Sequence, residues 1–136
     1  MPDLTGTTIG QYRLISTMGQ GGMATVYRGY QAGMERYVAV KVINPEHGVD
    51  PNFVQRFRQE ARVIAALEHP NILPVYDYGE AQGITYLVMR LVGSGTLADH
   101  MTGQPVPLDQ VRRLLAEVGD ALDYAHSRGV IHRDIK

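Results

Sequence analysis

The chain has 136 residues, 44% of them apolar and 20% charged, enough for one true core that buries about two-thirds of its extended-chain surface. Its 13 basic and 14 acidic side chains leave a formal charge of -1, so no global basic field argues for nucleic acid or an anionic membrane surface. Cysteine is absent, which excludes disulfides, thiolate chemistry and cysteine-based zinc sites, and the histidines do not pair at metal-ligand spacing.

Residues 1–10 are polar and lack the basic and apolar regions of a signal peptide, so they read as a loosely attached leader. Tyr12–Met18 and Thr25–Tyr30 read as two strands, and the glycine-dense turn Gly19–Ala24 between them has the length of a tight hairpin. Gln31–Arg36 returns the chain to a third strand, Tyr37-Val38-Ala39-Val40-Lys41. A lysine inside a β-branched strand is costly to bury without a carboxylate or an anionic ligand beside it.

A helix follows, with Asp50 as N-cap and Pro51 as a favoured first residue. Phe53, Phe57, Ala61, Ile64 and Leu67 form its apolar stripe, Glu60 falls on that same face, and His69-Pro70 ends it. Asn71–Tyr78 and Thr85–Leu91 are two further strand candidates, with a turn at Gly79–Gly83. Five antiparallel strands and one helix therefore predict a compact α+β unit over residues 11–91. Val92–Gly95 reads as a connector, Thr96–Met101 as a brief helix, and Asp109 as the cap of a long helix closed by Gly129. That helix has an apolar face broad enough to need a partner. The longest apolar runs fall far short of a membrane span, so no membrane contact is expected from this segment.

Three features carry the chemistry. The glycine turn can offer backbone N–H groups to an anion, but it leads into a strand, which argues against a dinucleotide fold, and it lacks the Gly-Lys-Ser/Thr ending of a P-loop. Lys41 can supply a mobile positive charge for phosphate oxygens, with Glu60 fixing its position. A structural ion pair, or a lysine protecting an edge strand, is the plainer reading of Lys41 alone. In His132-Arg133-Asp134-Ile135-Lys136, Asp134 could accept a hydroxyl proton and Lys136 could neutralise a moving phosphoryl group. A surface turn after a helix is the bland alternative.

Together these features resemble a eukaryotic-like serine/threonine protein kinase over Gln11–Lys136, and the Gly-Gly-Met-Ala loop resembles the bacterial branch of that family. Gly19, Gly21 and Ala24 match the small positions of the glycine-rich loop, and Val26 and Ala39 the residues that pack on adenine. Lys41 matches the phosphate-binding lysine and Glu60 its helix partner. His69-Pro70-Asn71-Ile72 looks like the usual connection after that helix, Met89 like the gatekeeper and Arg90-Leu91-Val92 like the hinge. Asp134 and Lys136 then match the catalytic loop, and Lys136 is the serine/threonine type of residue.

The resemblance implies an N-lobe over 11–91, a hinge over 92–95 and the start of an incomplete helical C-lobe over 96–136. It implies that Met18, Gly19, Gln20, Gly21, Gly22, Met23, Ala24, Thr25, Val26, Ala39, Lys41, Met89, Arg90 and Val92 bind the nucleotide. The catalytic set is Lys41, Glu60, Asp134 and Lys136. ATP and Mg2+ are the implied cofactors, with the metal ligands expected beyond Lys136, where the family carries an asparagine and a DFG aspartate. Protein serine and threonine hydroxyls are the implied substrates, the compartment is cytoplasmic with a membrane anchor downstream left open, and a homodimer is allowed. Ala24 departs from the third glycine and removes some backbone latitude, while Arg90 replaces a commonly acidic hinge residue. The parent chain is expected to transfer phosphate and these 136 residues alone are not. The alternatives are a catalytically silent nucleotide- or protein-binding module, and a truncated piece with no function of its own.

Overall fold

The computed structural model describes residues 3–93 and 95–131. It divides into two compact units, one of residues up to Ala66 with Pro74–Leu91, the other of Leu67–Leu73 with the chain from Val92 onward.

The first unit is an antiparallel sheet of β1 (Thr8–Ile9), β2 (Tyr12–Gln20), β3 (Ala24–Gln31), β4 (Arg36–Ile43), β5 (Val75–Ala81) and β6 (Ile84–Arg90), in the order β1-β2-β3-β4-β6-β5. Between β4 and β5 come the short helix α1 (Pro45–Gly48) and the longer α2 (Pro51–Ala65). Strict alternation along β3 sends Thr25, Tyr27, Gly29 and Gln31 to a fully buried face, where Tyr27 joins Tyr12, Leu14, Val38, Val40 and Val88 in the core. The strand count rises from five to six because the supposed leader contributes β1. Ile9 is completely buried, Leu4 packs against the core, and the Gly6 N–H donates to the Leu14 carbonyl at 2.7 Å. Residues 4–9 are thus not a loose leader: Ile9 is driven inward by the gain from burying its side chain.

The helix cap is as expected, the Asp50 carboxylate accepting from the Asn52 N–H at 3.0 Å ahead of Pro51. Its end comes earlier than His69, at Ala65, with Ala66 as C-cap. Pro70, with no N–H for the Ala66 carbonyl, bars helix beyond His69, but the helix closes before that limit, the Ala66 N–H donating to the Val63 carbonyl at 3.2 Å. The β5–β6 turn is tighter than Gly79–Gly83: only Gln82 and Gly83 lie outside the strands, both at positive φ (54° and 74°), as a type I′ hairpin requires. Residues 71–74 stay outside β5, and the Pro74 carbonyl accepts from the Arg90 N–H at 3.1 Å.

In the second unit, the brief helix shrinks to a 3-10 turn at Ala98–His100, fixed by a reciprocal cap: the Thr96 N–H donates to the Asp99 carboxylate at 2.8 Å, and the Asp99 N–H donates to the Thr96 hydroxyl at 3.3 Å. The backbone bond first, then the hydroxyl, hold the Asp99 carboxyl below its ordinary pKa. The long helix α3 spans Leu108–Ser127 with Pro107, not Asp109, as N-cap; Asp109 lies in the first turn, where its charge suits the helix dipole. Gly129, at φ 80°, closes it as a Schellman motif, with Val130 N–H donating to Ala125 O and Gly129 N–H to His126 O. Part of the missing partner for α3 is Leu67–Leu73: the Glu68 N–H donates to the Tyr124 hydroxyl at 3.0 Å, and the His69 ring lies 5.3 Å from that of Tyr124. Leu115 and Val118 stay exposed.

Candidate functional site

Strand register assembles one wall of the site. Val26 of β3 stands opposite Lys41 of β4, Lys41 opposite Leu87 of β6, and Ala39 opposite Met89. Directly opposed residues share a face, and so do residues two apart in a strand, so Val26, Ala39, Lys41 and Met89 all lie on one side of the sheet. This is the side away from the Tyr27–Val40 core. Arg90 falls on the other side, opposite Val38, with its N–H committed to Pro74 O. Val92 is exposed and belongs to the second unit. Asp134 and Lys136 lie outside the described residues.

The glycine turn sits at the end of this wall. Gly19 and Gln20 finish β2, opposite Val26 and Thr25, and the turn is closed by the Gly21 N–H donating to Ala24 O at 2.9 Å. Met18 and Met23 are exposed, Met23 at the tip. Register shifts on either side of Thr17 loosen the ladder as β2 approaches the turn.

Beside the wall is a cavity of about 380 Å3 lined by Met23, Ala24, Lys41, Ile43, Phe53, Arg56, Phe57 and Glu60. Lys41 is half-buried and Glu60 exposed, and among the described residues no ion pair joins them. The sequence reading of a buried lysine held by an inward acid is therefore not what this conformation contains. The reason is hydration: an exposed carboxylate and a partly wet ammonium lose little by staying apart. Arg56 also lines the cavity, placing a second cation near Lys41. Its spacing could have revealed this, three residues after Phe53 and four before Glu60. A second cavity, of about 450 Å3, lies along Pro51, Val54, Gln55 and Arg58, the opposite side of α2, where Arg58 pairs with Glu80.

Sequence reasoning also missed what lies beneath the turn. Asn44, only 3% exposed, donates from Nδ2 to the carbonyls of Gly21 and Gly22, both at 3.0 Å, and accepts from the Thr25 hydroxyl at 2.9 Å. His47 brings Nε2 within 3.1 Å of the Gly22 carbonyl and stacks on Phe53, with ring centroids 5.1 Å apart. No pattern in the sequence announces a side-chain amide aimed at a turn some twenty residues away.

Residues 12–136 match the sequence profile of the protein kinase domain. The chain belongs to the protein kinase family. Its relatives include the serine/threonine-protein kinases PknB of Mycobacterium leprae, 41% identical over 131 residues, and PrkC of Bacillus subtilis, 36% identical over 128 residues. Each alignment covers 93% of this chain but only 21% and 20% of those proteins, so the kinase segment spans about a fifth of their length. Among solved structures, the PknI kinase domain of Mycobacterium tuberculosis superposes with a TM-score of 0.82 at 35% identity, covering 97% of this chain and 54% of that one. The apo form of PpkA gives a TM-score of 0.80 at 28% identity, over 100% of this chain and 55% of that one. The kinase fold is that of the N-lobe with the start of the C-lobe. Protein kinases as a family use ATP and Mg2+. Among the described residues no helix of this kinase chain is long and apolar enough to cross a membrane.

Proposed function

We propose that this chain binds ATP and that its complete parent is a serine/threonine protein kinase acting on protein hydroxyls in the cytoplasm. One observation carries the reading: Val26, Ala39, Met89 and Lys41 share a sheet face that ends at the glycine turn and a cavity with two cations. These residues fit the nucleotide. Val26 and Ala39 offer an apolar wall to adenine, and Met89 continues it toward the hinge. The Arg90 N–H is already engaged by Pro74, which accords with the hinge using the Arg90 carbonyl and Val92 N–H for the base. Lys41, with Arg56 beside it, holds phosphate oxygens, and Glu60 approaches Lys41 when the phosphates arrive.

When bound, ATP supplies the γ-phosphoryl group that is transferred. Asp134 orients the substrate hydroxyl and accepts its proton, and Lys136 offsets charge on the moving group. Arg133 answers to an ordered activation segment. The residues that would hold magnesium in this family are an asparagine later in the catalytic loop and a DFG aspartate that follows it. The test is radiolabel transfer from γ-labelled ATP by the complete parent, with Lys41→Ala and Asp134→Asn variants. Loss of transfer in both supports the reading; undiminished transfer in both rejects the assigned residues.

A further inference from the structure

A turn that is to meet phosphate must present its N–H groups, and backbone alone does not decide which way its peptides face. In a trans peptide the carbonyl of one residue and the N–H of the next point in opposite directions. Fixing the Gly21 carbonyl therefore fixes the Gly22 N–H, and fixing the Gly22 carbonyl fixes the Met23 N–H. Asn44 holds both carbonyls with the two hydrogens of a single side-chain amide, and its own N–H holds the Met23 carbonyl at 2.9 Å. The Thr25 hydroxyl, donating to Asn44 Oδ1, decides which end of the amide faces the turn. Among the described residues, the Gly22 and Met23 N–H groups donate to no other protein atom. They are turned away from Asn44, on the exposed side of the turn.

We propose that Asn44 is a positioning residue for the glycine turn, keying its peptides so that the Gly22 and Met23 N–H groups face the nucleotide phosphates. Asn44 touches no reacting atom and acts through the turn. His47 supports the arrangement by sharing the Gly22 carbonyl while its ring rests on Phe53 of the cavity wall. The inference rests on the nucleotide reading above and makes a demand that reading does not: a replacement at Asn44 must discriminate between ligands with and without phosphates.

Asn44→Asp is the informative variant. It keeps size and shape but removes the donor, so a carboxylate faces two carbonyls and invites the peptides to turn their N–H groups inward. ATP and adenosine affinities are measured by calorimetry on the complete parent and both variants. Expected is a loss of about tenfold or more in ATP affinity for Asn44→Asp with adenosine affinity unchanged. His47→Phe, which keeps the ring on Phe53 and is no threat to folding, is expected to show a smaller loss in the same sense. Equal losses for ATP and adenosine would assign Asn44 a merely structural role and overturn the proposal, as would unchanged ATP affinity beside a wild type that binds. If Asn44→Asp fails to fold, His47→Phe decides: no selective loss of ATP affinity overturns the proposal. A wild type that binds neither ligand would sink the nucleotide reading itself, and this inference with it.

Discussion

Lys41 and Glu60 line one cavity from opposite elements, strand β4 and helix α2, without forming an ion pair. A carboxylate so exposed contributes little to stability in this arrangement. Glu60→Gln should therefore shift the unfolding free energy by less than about 0.5 kcal/mol, read from the denaturation midpoint. In the complete parent the same change should lower phosphotransfer at least about tenfold, the effect of one mispositioned charged group at a transfer site. A large stability loss with intact transfer would make Glu60 a structural residue.

Gly29 lies where β2 and β4 close in on β3. A Cβ there would stand 2.9 Å from Val40 Cγ2, itself fully buried, and 3.4 Å from the Arg13 carbonyl. Gly29→Ala should cost about 1–3 kcal/mol through overpacking, measured by chemical denaturation. The Gly29→Ala, Val40→Ala double variant should recover part of the Gly29→Ala cost, because the two sites meet.

Tyr12 is buried, and its hydroxyl donates to the Asp77 carboxylate at 2.8 Å. Burial first, then the hydrogen bond to Asp77, raise its pKa well above the ordinary 10.0. The folded state thus keeps a proton that the unfolded chain releases. The stability linked to this proton is complete below pH 10.0 and is lost as pH rises beyond it. Tyr12→Phe should flatten the alkaline arm of the stability profile while lowering stability near neutrality, where Asp77 loses a donor. An unchanged alkaline arm would show that another group governs it.

Ile9 tests the unforeseen first strand. Ile9→Ala removes most of a wholly buried side chain and should cost about 2–5 kcal/mol, followed by thermal or urea unfolding. A cost near zero would restore the picture of a loose leader.

The parts of the fold that announced themselves did so through repetition or punctuation. Alternation in β3, the β-branched run of β4, Asp50-Pro51 before α2 and Gly129 after α3 each state a local rule that the backbone obeys. Thr8–Ile9 is too short for any period to show, and Asp109 looked like a cap because nothing local revealed that Pro107 holds the position. The site was legible in the same uneven way. Lys41 and Glu60 stood out through their spacing, whereas Val26 and Ala39 were named only through resemblance to the kinase family. Depth was not legible, since periodicity says which way Glu60 points but not how much water reaches it. Asn44 was silent for a different reason: its partners are carbonyl oxygens, which every residue carries and no sequence distinguishes.

The β1 hairpin has a practical corollary for anyone producing this domain. An expression boundary drawn at Gln11, where the recognisable motifs begin, would strip Ile9 from its seat and uncover the edge of β2, whose Leu14 N–H now donates to the Thr7 carbonyl. An uncovered strand edge recruits other strands. Aggregation of such a shortened protein would then reflect a cut made a few residues too late, not a defect of the lobe itself.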